Sequence, residues 1–537
     1  MGKQFSLRHF LLALALFWGA TLCSSFHMDI SLYPLFKGET IPQIDIRTKL
    51  LLSQLNLICA SALLILFNPT NLNIRQRISV LLIAIILIIC NLMIPSPYWS
   101  VWFFMALLFW CGGINFKSVS KEALGYLVIF GAAFFNLSFV SNTHTTDVQY
   151  DFPSCYNYIE YILENNFLFW HENPLLTRPS YSAYHPILHF FLAAIGIRIG
   201  TLLNFSKEVS SEAVQVLFVS YMLWYGLISA RILNLFNLKK LPYLSLLAFI
   251  VFFPIYNAIS GYFNNDCLLL PLQAGMIYYS LCYYQSGGKK NLFWIWLFTT
   301  AGALTKLSAI LVLPMIAVVF LLRLLQKKDK QTFYEELICG MAILGGIAIW
   351  PLYQHFILHV SYDFVPPQTH LALAPYSMWE RFNPLGAFIY ERMFYNDFGN
   401  NLWETMTKTA LFGQWDFSQR AHSIFWMIPV LVWLYKLIIA IVLLLSVYVA
   451  FIKHNHVFYW FIMALFAGLI IGQIIFGLKH PFMCNQDFRY VAILPLVMAM
   501  LMAQFMSKDN SRISYLICGI LLIFAFFSDF IWHFVSC

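Results

Sequence analysis

Apolar stretches closed by short polar breaks repeat along almost the whole chain. About 20 helical residues cross the roughly 30 Å hydrocarbon layer of a bilayer, and runs of that size lie near residues 8–24, 50–67, 78–95, 99–115 and 122–140. Further runs follow to the C-terminus, for a total of about fifteen spans at that length. Within each run the apolar residues are continuous, which excludes the alternating period of a membrane barrel strand. A backbone in lipid has no water to bond, so the helix is the remaining solution. The pattern predicts an all-α polytopic membrane protein, a bundle of transmembrane helices.

The polar breaks assign the sides, because Lys and Arg collect in cytoplasmic loops. With the N-terminus inside, Arg75, Arg77, Lys117 and Lys121 fall inside. So do Lys239–Lys240, Lys289–Lys290, the cluster Lys327, Lys328 and Lys330, then Lys453, Lys508 and Arg512. Five regions result: N-terminal spans 1–140, a first outer loop 141–186, a core bundle 187–357, a second outer segment 358–422 and C-terminal spans 423–537. The middle carries a parity conflict. Two apolar runs, near 187–203 and 213–233, occupy a stretch that must cross an odd number of times. One of them is therefore expected to lie along the surface or to enter without crossing. Two crossings between Lys290 and Lys327 place the turn Thr305-Lys306 at the outer face. No heptads, soluble domain or internal repeat are visible. Segment 358–422, with Pro366-Pro367 and several Trp, is too aromatic for a disordered linker and reads as a small folded cap.

Composition agrees with the pattern. Of 537 residues, 61% are hydrophobic and 10% charged, against about 25% charged in soluble domains. The net charge of +8 sits in short loops rather than on a patch, so it argues against nucleic acid as a partner. Most of the eleven cysteines lie in apolar runs. Cys155 and Cys484 fall in segments placed outside, which leaves a disulfide between them open. Lys3 and Arg8 before Phe10–Leu22 have the form of a secretory signal, with small residues near Ser24. Because more spans follow directly, an uncleaved first span is expected.

Five polar constellations fall on the outer side. Asp147 and Asp151 follow a span at the lipid–water boundary, where they can serve a lipid-linked substrate; equally, Asp151 ahead of Pro153 can cap a helix over Tyr156–Leu163. Tyr184-His185-Pro186 turns a loop into an apolar run, with His185 either a phosphate donor or an interfacial histidine. His189 lies one helical turn further on, without a third residue to make a metal site. Asn264-Asn265-Asp266 opens another run, as substrate contacts or as caps. Lys306 at membrane depth costs about 2.5–3.5 kcal/mol on insertion scales, so an anion should accompany it unless it snorkels to the interface. Arg489, in Asn485-Gln486-Asp487-Phe488-Arg489-Tyr490, stands on the side where positive charge is disfavoured, which suggests phosphate or carboxylate recognition.

At these residues, over about 120–506, the chain resembles GT-C glycosyltransferases of the protein O-mannosyltransferase and lipid A aminoarabinose transferase type, the glycosyltransferase family 39 pattern. The resemblance rests on an acidic first outer loop (Asp147), His185-Pro186-Ile187-Leu188, Asn265-Asp266, Leu304-Thr305-Lys306 and Phe488-Arg489-Tyr490, in that order. Trp403-Glu404-Thr405 to Leu411-Phe412-Gly413 also looks like bacterial members. The chain departs from the family where Asp147 is followed by Val148 instead of a second acid, and where Ile187 replaces the second proline.

The resemblance implies an inverting sugar transfer from a polyprenyl-phosphate donor to a lipid, glycan or protein acceptor, on the periplasmic face of the inner membrane. It implies Asp147 as general base with Asp151 as its partner or a metal ligand. Lys306, Arg489 and His185 would bind the phosphate, and Tyr184, Asn265, Asp266 and Arg178 the substrate. No cofactor is required by that chemistry, and a divalent metal stays open. Two other classes compete: a flippase or transporter for a lipid-linked sugar, which would want midplane charges and a repeat, and a surface-polysaccharide polymerase or ligase.

Overall fold

The computed structural model describes residues 120–142, 152–165, 185–202, 214–357, 372–388, 399–413, 426–452, 457–507 and 512–536, with 204, 207, 210 and 211. Among these the architecture is helical throughout, with one isolated bridge, Ala372 to Phe482. The chain is an all-α polytopic membrane protein. Five helices are long and apolar enough to cross a membrane, or seven if two bent pairs each count as one span. The runs near 8–24, 50–67, 78–95 and 99–115 lie outside the described residues.

In chain order the helices are α1 (Lys121–Asn142), α2 (Phe152–Glu164), α3 (Leu188–Leu202), α4 (Gln215–Asn234), α5 (Lys240–Val251), α6 (Ile255–Gly261), α7 (Asp266–Ser286) and α8 (Lys289–Ala303). There follow α9 (Leu313–Lys327), α10 (Lys330–Phe356), the short α11 (Met378–Phe382), α12 (Leu402–Phe412), α13 (Met427–Ile452), α14 (Val457–Lys479), α15 (Leu494–Met506) and α16 (Arg512–Ser536). Between Lys306 and α9, and again between α14 and α15, the chain runs in 3-10 turns.

Burial separates two kinds of helix. The outer ones (α9, α10, α13, α14, α16) keep large apolar side chains exposed, as lipid contact allows. The inner ones, α5 and α7 above all, are buried nearly along their length and carry Ser245, Gln273 and Ser280 inward. A helix enclosed by protein need not be apolar on every side, which is why α4 and α7 are less hydropathic than their length suggests. Close packing of α7, α8 and α10 relies on glycine. A Cβ on Gly275 would stand 2.4 Å from the Phe298 ring, which Tyr279 and Trp224 already hem in.

α3 and the start of α4 occupy the stretch that carries the parity conflict. α3 has 15 residues, a rise of about 22 Å, short of a bilayer's apolar layer. Its first residue, Leu188, donates to Leu304 O at 2.9 Å. Along α3, His189 lies against Phe218 and Tyr221, Gly196 against Val214, and Gly200 against Ser210. The chain thus doubles back beside α3 before α4 begins level with Gly261, whose carbonyl accepts from Gln215 Nε2 at 3.1 Å. α4 alone carries on along the bundle.

One expectation is corrected. Cys155 and Cys484 are not joined in a disulfide. Cys155 faces the core from α2, and Cys484 donates to Asn485 Oδ1 at 3.7 Å.

Replacing Gly275 with Ala should destabilise the folded chain by about 1–3 kcal/mol, the usual cost of overpacking. Gly340→Ala on α10, where nothing lies within 4 Å, should be neutral or slightly stabilising. Thermal unfolding of the two variants in lipid nanodiscs checks the contrast.

Candidate functional site

Helices break where the candidate residues gather. α5 and α6 meet at 51°, as do the 3-10 turns before α15 and α15 itself at 47°. Pro254 at the first break has no N–H to continue the ladder, and Pro495 opens α15. The two breaks touch, since Phe253 stacks on Phe488 with ring centroids 5.6 Å apart. The turn Thr305-Lys306 and the start of α7 belong to the same cluster, because Asn265 Nδ2 donates to Thr305 O at 2.8 Å. That bond settles the reading of Asn265: its side chain reaches across to the next turn and makes no capping bond to α7.

Two buried ion pairs form the centre. Lys306 Nζ lies 2.6 Å from Asp266 Oδ1, forty residues away in sequence. Arg489 Nε lies 2.9 Å from Asp487 Oδ2, while Asp487 Oδ1 accepts the Arg489 backbone N–H at 3.0 Å. Tyrosines join the pairs: Lys306 Nζ stands 4.8 Å from the Tyr490 ring centre, and the Arg489 guanidinium 5.8 Å from that of Tyr262. Both cations also act on His185. Desolvation, then the charges of Lys306 and Arg489, push the His185 imidazole down to about 3. His185 is half-buried in the loop before α3. Lys306, Arg489, His185, Asn265 and Asp266, five residues singled out in the sequence, therefore share one site. A buried cation without its partner would be costly; here each has a carboxylate, and the two pairs sum to zero charge.

Donors and acceptors remain in hand. Lys306 gives Asp266 one of the three N–H donors of an ammonium. Asp266 Oδ2 and Asn265 Oδ1 are buried and accept no hydrogen bond. Buried polar atoms are nearly always satisfied in folded proteins, and these two acceptors beside the ion pair are open to a further hydrogen bond.

Other expected residues resolve differently. Asp147, Asp151, Arg178 and Tyr184 lie outside the described residues. His185 precedes α3, so it shares no helix face with His189. His189 is a core histidine: its Nε2 lies 3.3 Å from Phe263 O and its Nδ1 3.8 Å from Cys267 Sγ. Among the described residues no three His, Cys, Asp or Glu side chains gather as metal ligands.

The sequence reading missed a polar buried helix. α12, from the second outer segment, buries Glu404, Thr405, Thr407, Lys408 and Thr409. It packs on the turn that carries Arg489, with Thr409 Oγ1 accepting the Phe488 N–H at 2.8 Å. In the sequence it fell within the segment read as a small folded cap, in the stretch Trp403–Gly413 that looks like bacterial members of the family. In comparisons with known proteins, no protein-family model and no curated protein matches the chain.

Two outcomes follow. Asp487→Ala removes the carboxylate partner of the Arg489 guanidinium and should cost about 3–5 kcal/mol, the range for breaking a buried pair. Asp487→Asn keeps an acceptor for the Arg489 backbone N–H and should cost less; denaturant unfolding separates the two. For His185 the folded value lies below the ordinary 6.5, so the unfolded chain binds more protons between the two values. Stability is full above pH 6.5 and falls as pH drops toward 3. His185→Gln should flatten that acid decline in melting temperature.

Proposed function

We propose that the chain is an inverting membrane glycosyltransferase that uses a polyprenyl-phosphate sugar as donor. One observation carries the reading: Lys306–Asp266 and Arg489–Asp487 converge, buried, around Tyr490 and a neutral His185 at one end of the bundle. Phosphate suits the cations, since Lys offers a point charge and Arg a directed fork. Hydroxyls close to a phosphate suit the unfilled acceptors on Asp266 and Asn265. A glycosyl phosphate presents both groups side by side. The resemblance to protein O-mannosyltransferase and aminoarabinose transferase enzymes points the same way, and places the reaction at the periplasmic face of the inner membrane.

The reaction is a single displacement. The acceptor hydroxyl oxygen attacks the anomeric carbon, and the carbon–oxygen bond to phosphate breaks with inversion. The bonding pair leaves on the phosphate, whose charge grows from one negative to two. The hydroxyl proton passes to a carboxylate, which the family pattern assigns to Asp147, with Asp151 beside it. Lys306 and Arg489 offset the growing charge, and such stabilisation is worth most where water is excluded. His185, neutral, can donate one hydrogen bond without adding charge. Tyr184 and Arg178 complete the substrate contacts on the same analogy. The acceptor is a lipid, a glycan or a protein; none of the steps needs nucleic acid or an organic cofactor, and a divalent metal is compatible with the acidic first loop.

Mass spectrometry of envelope glycolipids and glycoproteins, with and without the gene, identifies the transferred sugar and its acceptor. With that assay, Asp147→Asn should lower the rate by about 10²–10⁴, the usual contribution of a general base. Lys306→Met and Arg489→Met, measured per folded enzyme, should raise the donor KM and lower kcat, because the leaving phosphate gains charge in the transition state. The acceptor KM should stay near its original value. Near-normal donor kinetics in both cation variants would overturn the assignment.

A further inference from the structure

The segment Met378–Phe388 leaves a patch of large apolar side chains uncovered at the site end of the bundle. Trp379 is 69% exposed, and Met378 and Leu385 are exposed with it. This is not a loose loop. Ser377 and Glu380 close a capping box on α11, with the Ser377 N–H donating to Glu380 Oε2 at 2.8 Å. Buried Arg381 donates from Nη2 to Gly477 O at 2.7 Å, in the last turn of α14. Leu373 N–H donates to Pro481 O at 2.7 Å. Asn401 Nδ2 holds the carbonyls of Glu380 and Asn383, and Trp403 Nε1 holds that of Phe382. The apolar side chains are therefore presented by a braced element.

α14 gives the depth. Ile471, Ile475 and Leu478 are exposed along one stripe of this span, the lipid-facing pattern, and Leu478 adjoins the Gly477 that holds Arg381. Trp460 is exposed near the other end of α14. The seventeen residue steps from Trp460 to Gly477 rise about 26 Å, close to the roughly 30 Å hydrocarbon layer. Trp379 thus stands about one apolar layer away from Trp460. Trp426, at the start of α13, is exposed as well. Tryptophans at both ends of a span are the mark of the two membrane interfaces. Ser377 and Glu380, exposed among Met378, Trp379 and Leu385, add the mixed polarity that an interfacial element needs.

We propose that Met378–Phe388 is a membrane-surface foot: Met378, Trp379 and Leu385 rest in the lipid interface at the site end, continuous with the lipid-facing stripe of α14. A second copy of the chain is the competing occupant, and the continuity with that stripe favours lipid. The foot bears on the site through α12, because Trp403 hangs from Phe382 and Thr409 holds the Phe488 turn. None of this depends on which reaction the site performs.

The test places the photo-crosslinking residue p-benzoylphenylalanine at position 379 of the full chain in phospholipid nanodiscs, with position 478 as the lipid-facing reference. Lipid adducts at 379, at a yield comparable to that at 478, are the expected result. A crosslinked dimer, an adduct to another segment of the same chain, or no adduct at 379 while 478 reacts would each overturn it. If the 379 variant fails to reach the membrane, the same probe at position 385 is read by the same outcomes.

Discussion

Every helix break inside this bundle leaves backbone groups that no water can reach, and the structure is arranged around supplying their partners. In lipid such groups cannot be left open, so a broken helix survives only where neighbouring protein provides the bonds. Ser528 Oγ donates to Phe252 O at 2.6 Å and Tyr256 OH to Ala492 O at 2.8 Å, each repairing one of the two bends. Gln273 Nε2 serves Ser308 O, Gln473 Nε2 serves Asn485 O, and Trp532 Nε1 serves Leu411 O. These donors come from helices that are otherwise mostly apolar. The buried polar residues scattered through the spans are thus the price of the breaks, and the breaks let side chains converge at one level.

The charges obey the same rule. A continuous helix would carry Lys306 past the site or bury it against lipid; the 3-10 turn after it holds its backbone extended and turns its ammonium onto Asp266. Asp266 opens α7, where the positive end of the helix dipole also favours a carboxylate. Asp487 and Arg489 are two residues apart in a turn that only a break between α14 and α15 permits. Each cation has a carboxylate beside it and does not depend on solvent alone for compensation. A site of this kind is neutral before a ligand arrives, which limits what it costs to bury.

Much of this was legible in the sequence, for physical reasons. Span length and continuous apolarity fix an all-helical membrane bundle. Lys306 stood out because charge at membrane depth is expensive, and Arg489 because positive charge is disfavoured on the side assigned to it. Their counter-ions were harder to read. Asp266 is forty residues from Lys306, and no local pattern links them. Asn265 looked like a cap because Asn at a helix start usually is one, yet tertiary contact with Thr305 wins over local capping. α12 read as part of an outer cap because its segment is too aromatic for a linker; its burial follows from packing against a turn 79 residues away in sequence, Thr409 to Phe488. Cys155 and Cys484 invited a disulfide only because both were placed on one side, and side does not give distance.

The two ion pairs are not equivalent, and the difference says where the site can change shape. Arg489 and Asp487 sit in one turn, and Asp487 also fixes the Arg489 backbone, so that pair forms as soon as the turn does. Lys306 and Asp266 belong to different segments, and their contact exists only while the 304–306 turn is docked on the start of α7. That docking is held by Asn265 to Thr305 and by Leu188 to Leu304. A displacement of the 304–306 turn would break the long-range pair and leave the local one intact. The Lys306 side of the site is therefore the adjustable one, and the Arg489 side, clamped by α12 and by its own turn, is the fixed frame against which a ligand is set.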